Sequence, residues 1–141
     1  MNSRIVAPCG IDCFNCELYE SNVTEVLRER ISTNLKIPKE LVTCKGCHDG
    51  NQCLFLDLQG KTCETLACAN DKGVDYCFEC DTFPCKLIMP LANGADRFPQ
   101  NMKVYNLCIM KRIGVEAWAD EALDIRKIYF GKELEIGKGG R

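Results

Sequence analysis

The chain has 141 residues, 46% of them hydrophobic, which is enough for one modest core and too few for two. Its formal net charge is -2, with 9 Lys+Arg against 14 Asp+Glu in residues 1–96 and 9 against 6 in residues 97–141, so a broad basic face for nucleic acid is disfavoured. No segment approaches the apolar length of a membrane span.

In chain order, residues 1–6, MNSRIV, are followed by no long apolar run, so no secretory signal is expected. Capping side chains at Ser21 to Glu25 precede Val23, Val26, Leu27, Ile31 and Leu35 at helical spacing, which predicts a helix over 22–35. Pro38 to Val42 reads as one short helical turn with proline at its first position. From Cys44 to Cys85 neither period is sustained and Gly, Asp and Asn are frequent. A segment of that kind cannot bury much apolar surface, so something other than a hydrophobic interior must hold it.

Beyond Pro90 the pattern changes. Val104, Leu107, Cys108 and Ile113 recur at helical spacing over 101–113, and Gly114 marks a stop. Val115, Trp118, Ala119, Ala122, Ile125 and Tyr129 predict a second helix over 115–130, with Trp118 as the anchor between the two. Residues 131–141 are glycine-rich and charged and are expected to fray. The fold expected is a small, mostly α, irregular, metal-stabilised cysteine-rich domain over 1–141, with a metal-binding part at 9–90, a helical part at 91–130 and a flexible tail.

Twelve cysteines carry the chemistry. Without an export signal they are expected to remain thiols in a reducing, cytoplasmic setting, which points to metal. Their even number would also suit a disulfide-stapled secreted domain. Four clusters stand out: Cys9-Gly10-Ile11-Asp12-Cys13-Phe14-Asn15-Cys16, Cys44-Lys45-Gly46-Cys47, Cys63-Glu64-Thr65-Leu66-Ala67-Cys68, and Cys77-Phe78-Glu79-Cys80-Asp81-Thr82-Phe83-Pro84-Cys85. Three contain C-x2-C, in which two intervening residues let both sulfurs face one ion. Gly46 supplies the backbone freedom that such a turn requires.

The candidate ligands are therefore Cys9, Cys13, Cys16, Cys44, Cys47, Cys63, Cys68, Cys77, Cys80 and Cys85, with Cys53 and His48 as lesser candidates. With both of these, twelve donors would suffice for three four-ligand sites; without them two closed sites and spare thiols account for the sequence. One pairing sets Cys44 and Cys47 with Cys63 and Cys68, and Cys13 and Cys16 with Cys77 and Cys80. Spacing does not separate zinc from iron, so an iron-sulfur cluster stays open. The C-x3-C-x2-C run from Cys9 matches the cluster spacing of radical enzymes, yet the chain lacks the strand-helix alternation of their barrels. Two four-thiolate sites would take the net charge to about -6. His48 reads as an exposed loop residue, Cys53 as a buried thiol or a ligand, Cys108 as a core residue, and Asp12, Glu64, Glu79 and Asp81 as solvated turn positions.

The order of these motifs, CG-x-D-C-x2-C from Cys9 to Cys16, C-x-G-C at Cys44 to Cys47, C-x4-C-A at Cys63 to Ala69 and C-x2-C-x3-P-C at Cys77 to Cys85, resembles a bacterial and archaeal cysteine-rich family of unknown function. The segment Leu107 to Trp118 is similar to the helical end of many members. The resemblance implies metal sites and no particular reaction, and Cys53 lies outside its pattern. The expected function is a zinc protein with two or three structural ions, serving as an interaction or adapter module with a protein partner and no membrane. The alternatives are an iron-sulfur redox protein and a zinc enzyme with one open coordination position.

Overall fold

The computed structural model describes residues 6–48 and 52–140. Five α-helices follow in order: α1 Glu25–Leu35, α2 Leu54–Asp57, α3 Glu64–Lys72, α4 Met102–Ile113 and α5 Val115–Gly131. Among the described residues 3-10 turns lie between or beside them, at Cys13–Asn15, Lys39–Leu41, Cys77–Glu79, Lys86–Ile88 and Pro99–Asn101. Among the described residues there is no strand; the single bridge pairs Tyr19 with Cys44 in parallel. Among the described residues no helix is long and apolar enough to cross a membrane. A small, mostly α, cysteine-rich fold is what the sequence pattern leads one to expect.

Helix α1 starts three residues later than its apolar pattern, because Thr24 is its cap: the Thr24 hydroxyl accepts from the Leu27 amide at 3.2 Å. Its buried face is narrower than expected. Leu27 is buried and Ile31 packs beside it, whereas Val26 and Leu35 are exposed. The turn after Pro38 is 3-10 rather than α, with Pro38 preceding it as its cap.

The segment from Cys44 to Cys85 is not without helix. α3 runs for nine residues with Thr65 and Ala69 buried, and Gly73, in the left-handed region, closes it. α3 had no audible period because a helix of that length shows its inner face through only two or three residues.

Two apolar clusters form. The first joins Val6, Tyr76 and Ile88 to Leu107, Ile109 and Met110 of α4 and Trp118, Ala119 and Ala122 of α5. It draws on both the cysteine-rich and the helical parts. Trp118 is fully buried and meets the edge of Phe14 at 6.0 Å between ring centroids. Gly114, at φ 90°, ends α4 and begins α5, so a single residue joins the two helices. The second cluster holds, among the described residues, Leu18, Leu27, Val42 and Leu54, with partly buried Cys16 and Cys44 at its margin beside Val23, Ile31, Ile37 and Leu58. Cys108, expected in the core, is instead exposed on α4, because the buried stripe passes through Asn106, Leu107, Ile109 and Met110. Past α5, Leu134 and Ile136 are almost wholly exposed.

Candidate metal-binding site

The first cysteine loop is folded by its own backbone. The Gly10 amide donates to the Ala7 carbonyl at 2.9 Å, the Asn15 amide to Asp12 at 2.9 Å and the Cys16 amide to Cys13 at 2.9 Å. This brings Cys9, Cys13 and Cys16 around one small turn. Gly10 sits at φ 85°, and a Cβ there would lie 2.8 Å from Leu107 Cγ and 2.9 Å from the Lys103 carbonyl oxygen. Only glycine lets α4 approach the loop so closely. Asn106 of α4 then donates to the Gly10 carbonyl at 2.8 Å, a buried hydrogen bond.

Asp12, between the cysteines, is not the solvated turn residue that its local sequence suggests. It is fully buried. Arg126 of α5 grips it with two hydrogen bonds, Nε to Oδ2 at 2.7 Å and Nη2 to Oδ1 at 2.8 Å, and Asn15 donates to Oδ2 at 3.1 Å. Burial works against the Arg126 charge, yet the Asp12 carboxylate outweighs it and holds the guanidinium above its ordinary range. The same guanidinium acts on the Cys16 and Cys13 sulfurs. Periodicity carried a faint signal of this: Arg126 continues the stripe of Ala119 and Ala122, and an arginine on an apolar stripe needs a partner.

The twelve cysteines are all free thiols. Eleven of them fall into two neighbouring sets. The first gathers Cys9, Cys13, Cys16, Cys44 and Cys47, with Cys63 and Cys53 beside them. A thiol-thiol hydrogen bond joins Cys13 to Cys47, holding Cys13 well above and Cys47 below the usual thiol range. Burial pushes Cys9 up to about 11 against the pull of the Lys103 ammonium, and Cys47 and Cys63 act on the same sulfur. Cys16 is raised by burial, opposed by the Leu18 amide and by Arg126, and it feels Cys44. The Cys44 backbone is tied to the loop by the Cys44 amide to Leu18 at 2.9 Å and the Glu20 amide to Cys44 at 2.9 Å. Cys53 is exposed, at the edge of the set, within the influence of Cys44 and Cys47.

The second set is Cys68 of α3 with Cys77, Cys80 and Cys85, which together line a cavity of about 30 Å³ bordered by Thr65 and Ile88. That is room for about one water-sized particle. Burial pushes Cys77 up to about 12, with Cys9, Cys85 and Cys68 adding to the effect. Cys80 is lowered by the Thr82 hydroxyl 3.1 Å away, by the Thr82 amide and by Lys72. Glu79 caps the turn: its Oε2 accepts from the Asp75 and Tyr76 amides at 2.8 and 2.9 Å. The sets meet where the Cys77 amide donates to the Pro8 carbonyl at 2.9 Å. This grouping differs from the one pairing set out above, of Cys44 and Cys47 with Cys63 and Cys68 and of Cys13 and Cys16 with Cys77 and Cys80: Cys47 lies with Cys13, and Cys68 with Cys77, Cys80 and Cys85.

His48 is half-buried rather than exposed, and its ring stands edge-on to Tyr76 at 5.9 Å between centroids. Its Nε2 is buried and has no hydrogen-bond partner among the described residues, and the same is true of Thr43 Oγ1. Among the described residues no three His, Cys, Asp or Glu side chains converge closely enough to hold an ion as they stand. The donors nonetheless fit a thiophilic metal in kind: soft sulfurs in two sets, and an orphaned imidazole nitrogen one residue past Cys47.

No curated protein and no solved structure matches the chain. The family described as "Protein of unknown function (DUF3795)" matches residues 5–90, which include every cysteine but Cys108, and the chain belongs to it.

Proposed function

We propose that the chain is a zinc protein whose thiolates hold structural ions, and that the domain so stabilised serves as an interaction or adapter module. The gathering of eleven free thiols from separate segments into two neighbouring sets carries this reading. Cys68, Cys77, Cys80 and Cys85 would complete one four-ligand site. Cys9, Cys13, Cys16, Cys44, Cys47 and Cys63 offer more than enough donors for another, and ligation by His48 would relieve its orphaned Nε2. On binding, the thiols give up their protons and turn toward a common point, and bound zinc supplies cross-links between segments that have little core of their own. Exposed Leu87, Met89, Leu91 and Phe98, on the stretch leading to α4, support the adapter role.

The test is metal content per chain and the visible spectrum of protein purified without air and without an affinity tag. The expected result is a colourless protein with at least two zinc ions per chain. Stoichiometric iron with visible absorption would overturn zinc in favour of an iron-sulfur centre. A natively folded chain free of metal would overturn the reading altogether.

A further inference from the structure

Arg126 lies in α5, outside the family-matched segment 5–90, yet it reaches the centre of that segment's first cysteine loop. Asp12 stands between Cys9, Cys13 and Cys16, fully buried, and its carboxylate accepts three hydrogen bonds. A buried ion pair is a poor device for stability, since a well-packed apolar pair of similar volume often does as well or better. What a two-point pair supplies is orientation: the planar guanidinium fixes the carboxylate in direction as well as distance, and lysine cannot copy it. Two residues away, Asn106 of α4 holds Gly10 by its carbonyl. The two C-terminal helices thus grip the loop on either side of Ile11, between Cys9 and Cys13.

We infer that Arg126 is a positioning residue for the first cysteine set, acting through Asp12, so that the α4–α5 pair is part of the metal site. The inference rests on the metal-binding reading above. Groups that orient metal ligands typically change affinity ten- to a hundred-fold when lost. A guanidinium close to Cys13 and Cys16 also offsets the negative charge that ligating thiolates accumulate.

The test uses the full-length chain, reduced and free of air, with zinc affinities read by competition with a chromophoric chelator and cobalt as a spectroscopic stand-in. Two variants are compared with wild type: Arg126→Lys, which keeps the charge but not the two-point grip, and Asp12→Asn with Arg126→Gln, which leaves no buried charge unpaired. Circular dichroism confirms folding in each. The expected result is a ten- to hundred-fold loss of affinity for one class of site, an altered cobalt-thiolate band for that class, and an unchanged second class. The milder lysine variant carries the test if the double variant does not fold. Wild-type affinity and spectrum at every site in a folded variant would overturn the inference alone. A wild-type chain that takes up no metal would overturn the metal reading, and this inference with it.

Discussion

The two apolar clusters differ in what they can do unaided. The one around α4 and α5 has nine buried residues, Trp118 among them, and is fed from three parts of the chain. The one around α1 has four among the described residues, and Cys16 and Cys44 lie at its margin with Val23, Ile31, Ile37 and Leu58. Four buried side chains are too few to offset the ordering of the segments they join. Thiols border both clusters, Cys9, Cys77 and Cys85 the larger and Cys16 and Cys44 the smaller, so on the zinc reading metal matters most where the apolar packing beside the thiols is thinnest.

The largest expected effect tests that asymmetry directly. Chelating the bound metal from the reduced protein should abolish amide protection from hydrogen exchange around Leu18, Leu27, Val42 and Leu54, while α4 and α5 keep theirs. Uniform loss, or uniform retention, would break the comparison. Next comes Trp118→Ala, which empties the centre of the large cluster and should cost about 3–5 kcal/mol by urea unfolding of the metal-loaded chain.

Gly10→Ala tests the seam between the regions. A methyl group within 3 Å of Leu107 and of the Lys103 carbonyl, on a backbone at φ 85°, should cost about 2–4 kcal/mol and loosen the first cysteine loop, visible as faster loss of metal to a chelator. The smallest effect is expected from Thr24→Ala, which removes the cap of α1. It should lower stability by about 1 kcal/mol with metal bound. If the α1 side relies on metal, the same variant in the metal-free chain should show no separate effect, because that helix has already lost its support.

The parts of the molecule legible from sequence were those whose information is local. α4 and α5 announce themselves through eight or more apolar positions and the glycine between them, and α1 through its cap. The cysteine clusters are legible as thiols in turns. α3 escapes because nine residues with two buried members make no pattern. Val26 and Leu35 look apolar enough to be buried, but the small second cluster has no second wall for them. Cys108 shows the converse: its position beside Leu107 suggests the core, and a turn of about 100° per residue carries it to the outside. Asp12 is the most instructive. Its neighbours are turn-formers, so locally it reads as solvated, and its partner is 114 residues away. Nor does the grouping of the sulfurs follow from spacing, because it depends on α3 presenting Cys68 toward the turn at Cys77–Glu79.

That separation between Asp12 and Arg126 bears on how the protein is made. The N-terminal loop leaves the ribosome 114 residues before its arginine, a delay of roughly 6–23 s at translation speeds of ~5–20 residues per second. For that interval Cys9, Cys13 and Cys16 are nascent thiols with a carboxylate among them and no arginine to hold it. An oxidant or a mismatched ion met during synthesis would find them unguarded, and a wrong link made then would be closed in when the last helix docks.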